Sequence, residues 1–202
     1  MKSDVIEVSS KGAKMEAALK QADKVAVYKE MSPKNAMHLH LLTEEMMGLM
    51  RSITGDVTGK FWINDDEEGV YELHLQVEKW LTSETREKLL AASTTGKNSA
   101  AKGLMGRLRN FFEVGADEDI AAYTNPLVLP GMYETSSTPR LDWEWSMVQY
   151  EEALASSKPA SEEKVQEARD ELEKSVVAHV ADDVKVSIKG RTVEMIIIKK
   201  MA

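Results

Sequence analysis

The sequence predicts a chain of the α/β (α+β) class, and three observations carry that expectation. Two pairs of β-prone runs each flank a turn-rich break: "NDDEEG" between residues 60–63 and 70–77, and "KGR" between residues 184–188 and 192–199. Outside these hairpins, apolar residues recur at the three- and four-residue spacing of a helix. Helix start signals, Ser32-Pro33 above all, stand at the head of such segments.

In chain order, "EAALK" suits a helix, and residues 24–31, "KVAVYKEM", read as a short strand because Val25 and Val27 alternate with other neighbours. Ser32 then supplies an N-cap hydroxyl, and Pro33 occupies the first helical position, where its missing N–H costs nothing. That helix runs to about Ile53 on the apolar set Leu39, Leu42, Met46, Leu49, Met50 and Ile53, and Thr54-Gly55-Asp56 ends it. In the first hairpin Tyr71, Leu73, Leu75 and Val77 share one face and Glu72, His74 and Gln76 the other, so one face is buried. A helix over 83–92, opened by Thr82 or Ser83, is broken by "STTGKN"; another over 99–112 keeps Leu104, Leu108 and Phe111 in phase.

Residues 114–140 carry Pro126, Pro130 and Pro139, long for a structureless connection, and the wider stretch 114–160 is expected to be an insertion or flap within a single domain spanning 1–202. Residues 141–155 return to a helical pattern with Trp143, Met147, Tyr150 and Leu154 near one face. After the linker "SSKPAS", Ser161 caps a helix expected to last to about Val180, with Glu162 and Glu163 favourable to its dipole. The closing hairpin ends in "VEMIII", nearly continuous in apolar residues, which predicts a central or well-covered strand.

Composition narrows the chemistry. With 202 residues the chain can bury a substantial core, and without cysteine it has no thiol catalysis, thiolate metal site or disulfide. The charged, polar start "MKSDVIEVSSKGAK" and the lack of about 18 consecutive apolar residues predict a soluble, cytoplasmic protein with no membrane partner. A net charge of -8 opposes nucleic acid unless basic groups gather on one face. The densest such group, Lys102, Arg107 and Arg109, has room for one phosphate but not for a nucleic-acid track; the competing reading is a solvated helix face.

Several familiar constellations fail on spacing. His38 and His40 are two apart on a helix, so their side chains diverge by roughly 200° and cannot chelate one ion. Neither His74 nor His179 belongs to a metal-ligand signature. "TTGKNSA" lacks both the glycine a phosphate loop needs, where Ala91 stands, and the hydroxyl residue after its lysine, where Asn98 stands. No nucleophile-elbow serine motif is present. Trp143 and Trp145 in "DWEWSMVQY" are candidates for contact with a protein partner, against the competing reading of aromatic core.

The helix "LLTEEMM", the hairpin, "KGLMGRLRNFF" and the closing "KGRTVEMIII" together resemble the ATP-binding domains of the histidine kinase, gyrase, Hsp90 and MutL (GHKL) type. The likeness covers most of 24–112 and 183–199. It implies a Bergerat-like two-layer sandwich, a mixed sheet covered by helices on one face. In that family a helical Glu acts as general base for the hydrolytic water, and an Asn four residues later holds Mg²⁺. Glu45 takes the place of that Glu and Leu49 that of the Asn; in the alternative register, Glu44 is followed by Gly48.

Where the family has its adenine-binding D-x-G-x-G, this chain has "VEKWL", with Glu78 replacing the Asp. "KGLMGRL" is similar to the glycine-rich phosphate segment, Gly103 and Gly106 letting backbone N–H groups approach phosphate. Gly190-Arg191-Thr192 is similar to the G-x-T whose threonine helps hold adenine. The resemblance therefore implies a degenerate, non-catalytic, bacterial-type regulatory protein. It would bind ATP, ADP or another small anionic ligand through Glu45, Glu78, Lys102, Gly103, Gly106, Arg107 and Thr192, with Lys102 or Arg107 meeting the phosphates.

Two alternatives remain. In one, a pure interaction module, Trp80 and Met105 fill the pocket and the segment with Trp143 and Trp145 contacts a partner or a second copy; in the other, an active ATPase or kinase uses Glu45 with a substitute magnesium ligand. The competing reading of Glu44 and Glu45 is the solvated face of an amphipathic helix.

Overall fold

The computed structural model describes residues 1–53, 56–78, 142–156, 166, 170, 172–189 and 192–201. The expected helices over 83–92 and 99–112 lie outside them.

Strand β1 (Ile6–Ser9) opens the fold, an element that the polar start of the chain does not announce. Gly12 and Lys14, both at positive φ, then turn the chain into helix α1 (Met15–Tyr28). The strand expected over 24–31 is corrected here: it is the last turn of α1 and the helix terminus. Met15, Ala18, Ala22, Val25 and Ala26 are buried at helical spacing, whereas Val27 is 79% exposed. The two valines that suggested alternation therefore point to different environments around one helix. The helix closes with Glu30 N–H donating to Val27 and Met31 N–H to Ala26, with Glu30 in the left-handed region (φ 50°), a Schellman-type ending.

Helix α2 (Pro33–Ser52) follows as expected, with Ser32 Oγ accepting from Asn35 N–H at 3.3 Å. Leu39, Leu42, Met46, Leu49, Met50 and Ile53 are all in the core. Strands β2 (Thr58–Asn64) and β3 (Val70–Glu78) form the expected hairpin.

The helix expected over 141–155 divides in two. Strand β4 (Asp142–Ser146) pairs with the strand that begins at Asp183, and helix α3 (Met147–Ser156) starts only after it. The boundary has a tertiary cause: the Asp183 carboxylate accepts from Ser146 Oγ at 3.1 Å and from Val148 N–H at 3.2 Å, capping α3 from outside its own segment. Residues 142–146, inside the stretch expected as an insertion, are thus an edge strand of the main sheet.

The helix expected over 161–180 is also interrupted. Gln166, Asp170, Leu172 and Glu173 are helical, but Ser175 leaves the helix and caps a new one, α4 (Val176–Val180), by accepting from Ala178 N–H at 3.3 Å. Strands β5 (Asp183–Lys189) and β6 (Thr192–Lys200) form the expected closing hairpin.

The described strands make one six-stranded sheet in the order β1-β2-β3-β6-β5-β4. A mixed sheet is the sequence expectation; the pairings among the described residues are antiparallel. Strand β6 is central, as its apolar run predicts, and joins the two hairpins by pairing with β3 from Val70↔Lys200 to Glu78↔Thr192. One sheet face, built from Val8, Phe61, Ile63, Leu73, Leu75, Val77, Val184, Val186, Val193, Met195 and Ile197, is buried. The buried residues of α1, α2 and α4 join the same core, giving an α+β arrangement of a sheet with helices on its apolar face.

Candidate functional site

Helix α2 carries the residue that the resemblance singles out. Its apolar stripe faces the sheet, which sets Glu45 at the flank of the buried surface, half-buried and beside Glu44. Burial, with the neighbouring Glu44 charge adding to it, raises the Glu45 pKa above the ordinary carboxylate value. Four residues on, where the family places a magnesium-holding Asn, Leu49 is 3% exposed and part of the core. Gly48, the residue of the alternative register, is exposed and has no side chain to offer. Neither register gives α2 an oxygen ligand for Mg²⁺ at that position.

The two histidines of α2 have separate surroundings, as their spacing requires. His40 Nδ1 lies 2.8 Å from Asp23 Oδ1 and ties α2 to α1. His38 is half-buried, and its Nδ1 makes no hydrogen bond among the described residues. No group of three or more His, Cys, Asp or Glu able to hold a metal ion occurs among the described residues.

Glu78 and Thr192 are brought together: they are cross-strand partners at the end of the β3–β6 ladder. Glu78 is exposed and lies 3.8 Å from Lys60 Nζ. Their face is decided by alternation. Val77 and Val193, next to them in sequence, are buried beneath the helices, so the register assigns Glu78 and Thr192 to the opposite face of the sheet from α2. The structure therefore does not unite them with Glu45. Lys102, Gly103, Gly106 and Arg107, with Trp80 and Met105, lie outside the described residues, as do Gly190 and Arg191.

Of the two tryptophans expected at an interaction surface, Trp145 is 7% exposed and belongs to the core, its ring 6.0 Å from that of Tyr150. Trp143 stands opposite Ile188 in the β4–β5 register.

Sequence reasoning missed a cluster on the second face of the sheet. His74 is 9% exposed and stacks on Trp62, with ring centroids 4.6 Å apart and planes 9° from parallel. Its Nδ1 lies 3.1 Å from Glu194 Oε1 and its Nε2 3.4 Å from Glu72 Oε2. Lys2 Nζ sits 4.6 Å from the Trp62 ring centroid. The sequence signal was the shared parity of Glu72 and His74 in β3; Trp62 and Glu194 join them only through strand register.

No helix among the described residues is long and apolar enough to cross a membrane. Comparison with models of protein families finds no match, and comparisons with curated proteins and with solved structures find none either.

Proposed function

We propose that the chain is a non-catalytic binding domain related to the Bergerat type, regulatory in role, that takes up ATP, ADP or another small anionic ligand on the α2 side of its sheet. The observation that carries this reading is the pairing on α2 of a half-buried Glu45 with a core-embedded Leu49. The carboxylate of a hydrolytic site is retained at the edge of the core, while the place of its metal ligand has been converted to packing. Without the ion, developing phosphate charge loses a stabilisation commonly worth several kcal/mol, which favours binding over turnover. Lys102 or Arg107 is the cation assigned to the phosphates. Glu78 and Thr192, on the other face, are left out of the proposed site.

The test is a thermal-shift titration with ATP and ADP, with and without Mg²⁺. At ligand concentrations of about one hundred times Kd, a ligand that binds only the folded state contributes about 2.7 kcal/mol, a rise of roughly 5–10 °C for a domain of this size. The expected result is a rise independent of Mg²⁺, without phosphate release. A flat melting temperature with all four combinations overturns the reading, and Mg²⁺-dependent phosphate release replaces it with the active-enzyme alternative.

One observation favours the interaction-module reading. At the joined ends of α1 and α2, Val27, Tyr28 and Met37 are 79%, 72% and 54% exposed, large apolar groups that solvent alone does not favour there. If this end contacts a second copy, Tyr28→Asp lowers the mass measured by sedimentation; a wild-type protein that is monomeric at high concentration removes that reading.

A further inference from the structure

The second face of the sheet holds an arrangement that neither nucleotide binding nor packing requires. The row Trp62–His74–Ile196–Lys185 runs across β2, β3, β6 and β5, because these residues are paired in register. Lys2 Nζ lies over the Trp62 ring, and the His74 imidazole is stacked on it. Both nitrogens of that imidazole face carboxylates, Glu194 across the β3–β6 ladder and Glu72 two residues back on β3. The other polar groups that the register sets around His74 are Lys60 and Asn64 on β2, Gln76 on β3 and Lys185 on β5. Asn64 Nδ2 is 3.5 Å from Glu72 Oε2.

A neutral imidazole has one N–H donor and one lone pair. With the proton on Nδ1, the bond to Glu194 is made but a lone pair on Nε2 faces Glu72; with it on Nε2, the lone pair faces Glu194. Nε2 is buried and, among the described residues, has no hydrogen-bond partner at the present geometry, only the 3.4 Å charge contact, and a buried polar atom left so is costly. Only the imidazolium offers a donor to each carboxylate. It also presents a cation to the face of Trp62, completing a cation–π arrangement with Lys2.

We propose that Trp62, His74, Glu72 and Glu194 form a proton-operated clamp across β2, β3 and β6. Bound proton holds both carboxylates against the ring and keeps the ring stacked on Trp62. Loss of the proton releases Glu72 and loosens the stack, while the Glu194 bond is kept. The clamp is independent of the nucleotide reading and survives its failure, since it shares no residue with the α2 side.

The test is a tryptophan-emission titration from about pH 5 to about pH 9, the span in which imidazole side chains change charge. It is run on wild type, Trp62→Phe, His74→Gln and Glu72→Gln, with ¹⁵N NMR of the wild-type imidazole alongside. A stacked imidazolium quenches indole emission, so wild type should brighten in a single step as pH rises, and both Trp62→Phe and His74→Gln should lose the step. Glu72→Gln should retain a smaller step, because one of the two carboxylates that hold the stacked ring is gone. Should the step persist unchanged in His74→Gln, the clamp is wrong. It is equally wrong if the wild-type imidazole remains a single neutral tautomer across the range, a readout that does not depend on any variant folding.

Discussion

Gly48 and Gly69 show how differently one residue type acts within this chain. Gly48 is exposed in the middle of α2, and a Cβ added there would meet nothing within 4 Å. Its only contribution is backbone freedom in the unfolded state, so Gly48→Ala should stabilise the protein by about 1 kcal/mol in urea unfolding. At Gly69, φ is +75° and an added Cβ would approach the Met201 carbonyl oxygen to 2.9 Å. There Gly69→Ala should cost more than about 1 kcal/mol, because the turn between β2 and β3 is built around the missing side chain. A stabilising Gly69→Ala would mean that this turn relaxes freely. Leu49 belongs to the same scale: as a core residue it makes Leu49→Asn, the change that would restore a family-like magnesium ligand, a destabilising one.

The ends of the helices carry much of the information about the elements. Helix α2 begins where its own sequence specifies, at Ser32-Pro33, and Ser32→Ala should remove about 1 kcal/mol by freeing the Asn35 N–H. The end of α1 is a strained version of a common motif, with Glu30 at φ 50° where glycine is the usual occupant. Glu30→Gly should therefore stabilise by about 1 kcal/mol in the same unfolding assay, and no gain would show that the Glu30 side chain contributes as much as its backbone costs. Helix α3 differs from both. Ser146 Oγ accepts from Gln149 N–H at 3.5 Å, and the Asp183 carboxylate, supplied by a strand distant in sequence, takes the Val148 N–H, so its start is held by a local and a tertiary cap together.

Across the whole molecule, distant segments are tied by charge as well as by the sheet. Asp65, with a side chain 6% exposed, receives Lys29 at the end of α1 and the Met1 ammonium. Burial by itself would raise its pKa, but the hydrogen bonds and charges of Lys29 and the ammonium group outweigh it and hold the pKa below the ordinary value of 3.8. A depressed folded pKa adds stability above the unfolded value and loses it as pH falls through the folded one. The melting temperature should therefore fall on acidification below about pH 4, and Lys29→Met should flatten that fall. A variant that tracks wild type at every pH would show that Asp65 is held by the ammonium group alone.

The sequence by itself determined the two hairpins, the central place of β6, and α2 with its cap and buried stripe. Each depends on contacts or periodicities within a few residues, which is the range over which a pattern can be read. Tertiary structure alone decided that residues 24–28 are helical, because Val25 meets the core while Val27 meets water. It also recruited 142–146 to the sheet edge, through pairing with β5. The same holds for the chemistry. Glu45 is legible on its helix, but the separation of Glu78 and Thr192 from it follows from which face of β3 and β6 the helices cover. His74 and Glu194 meet across 120 residues of sequence, a contact that exists only once strand register is set.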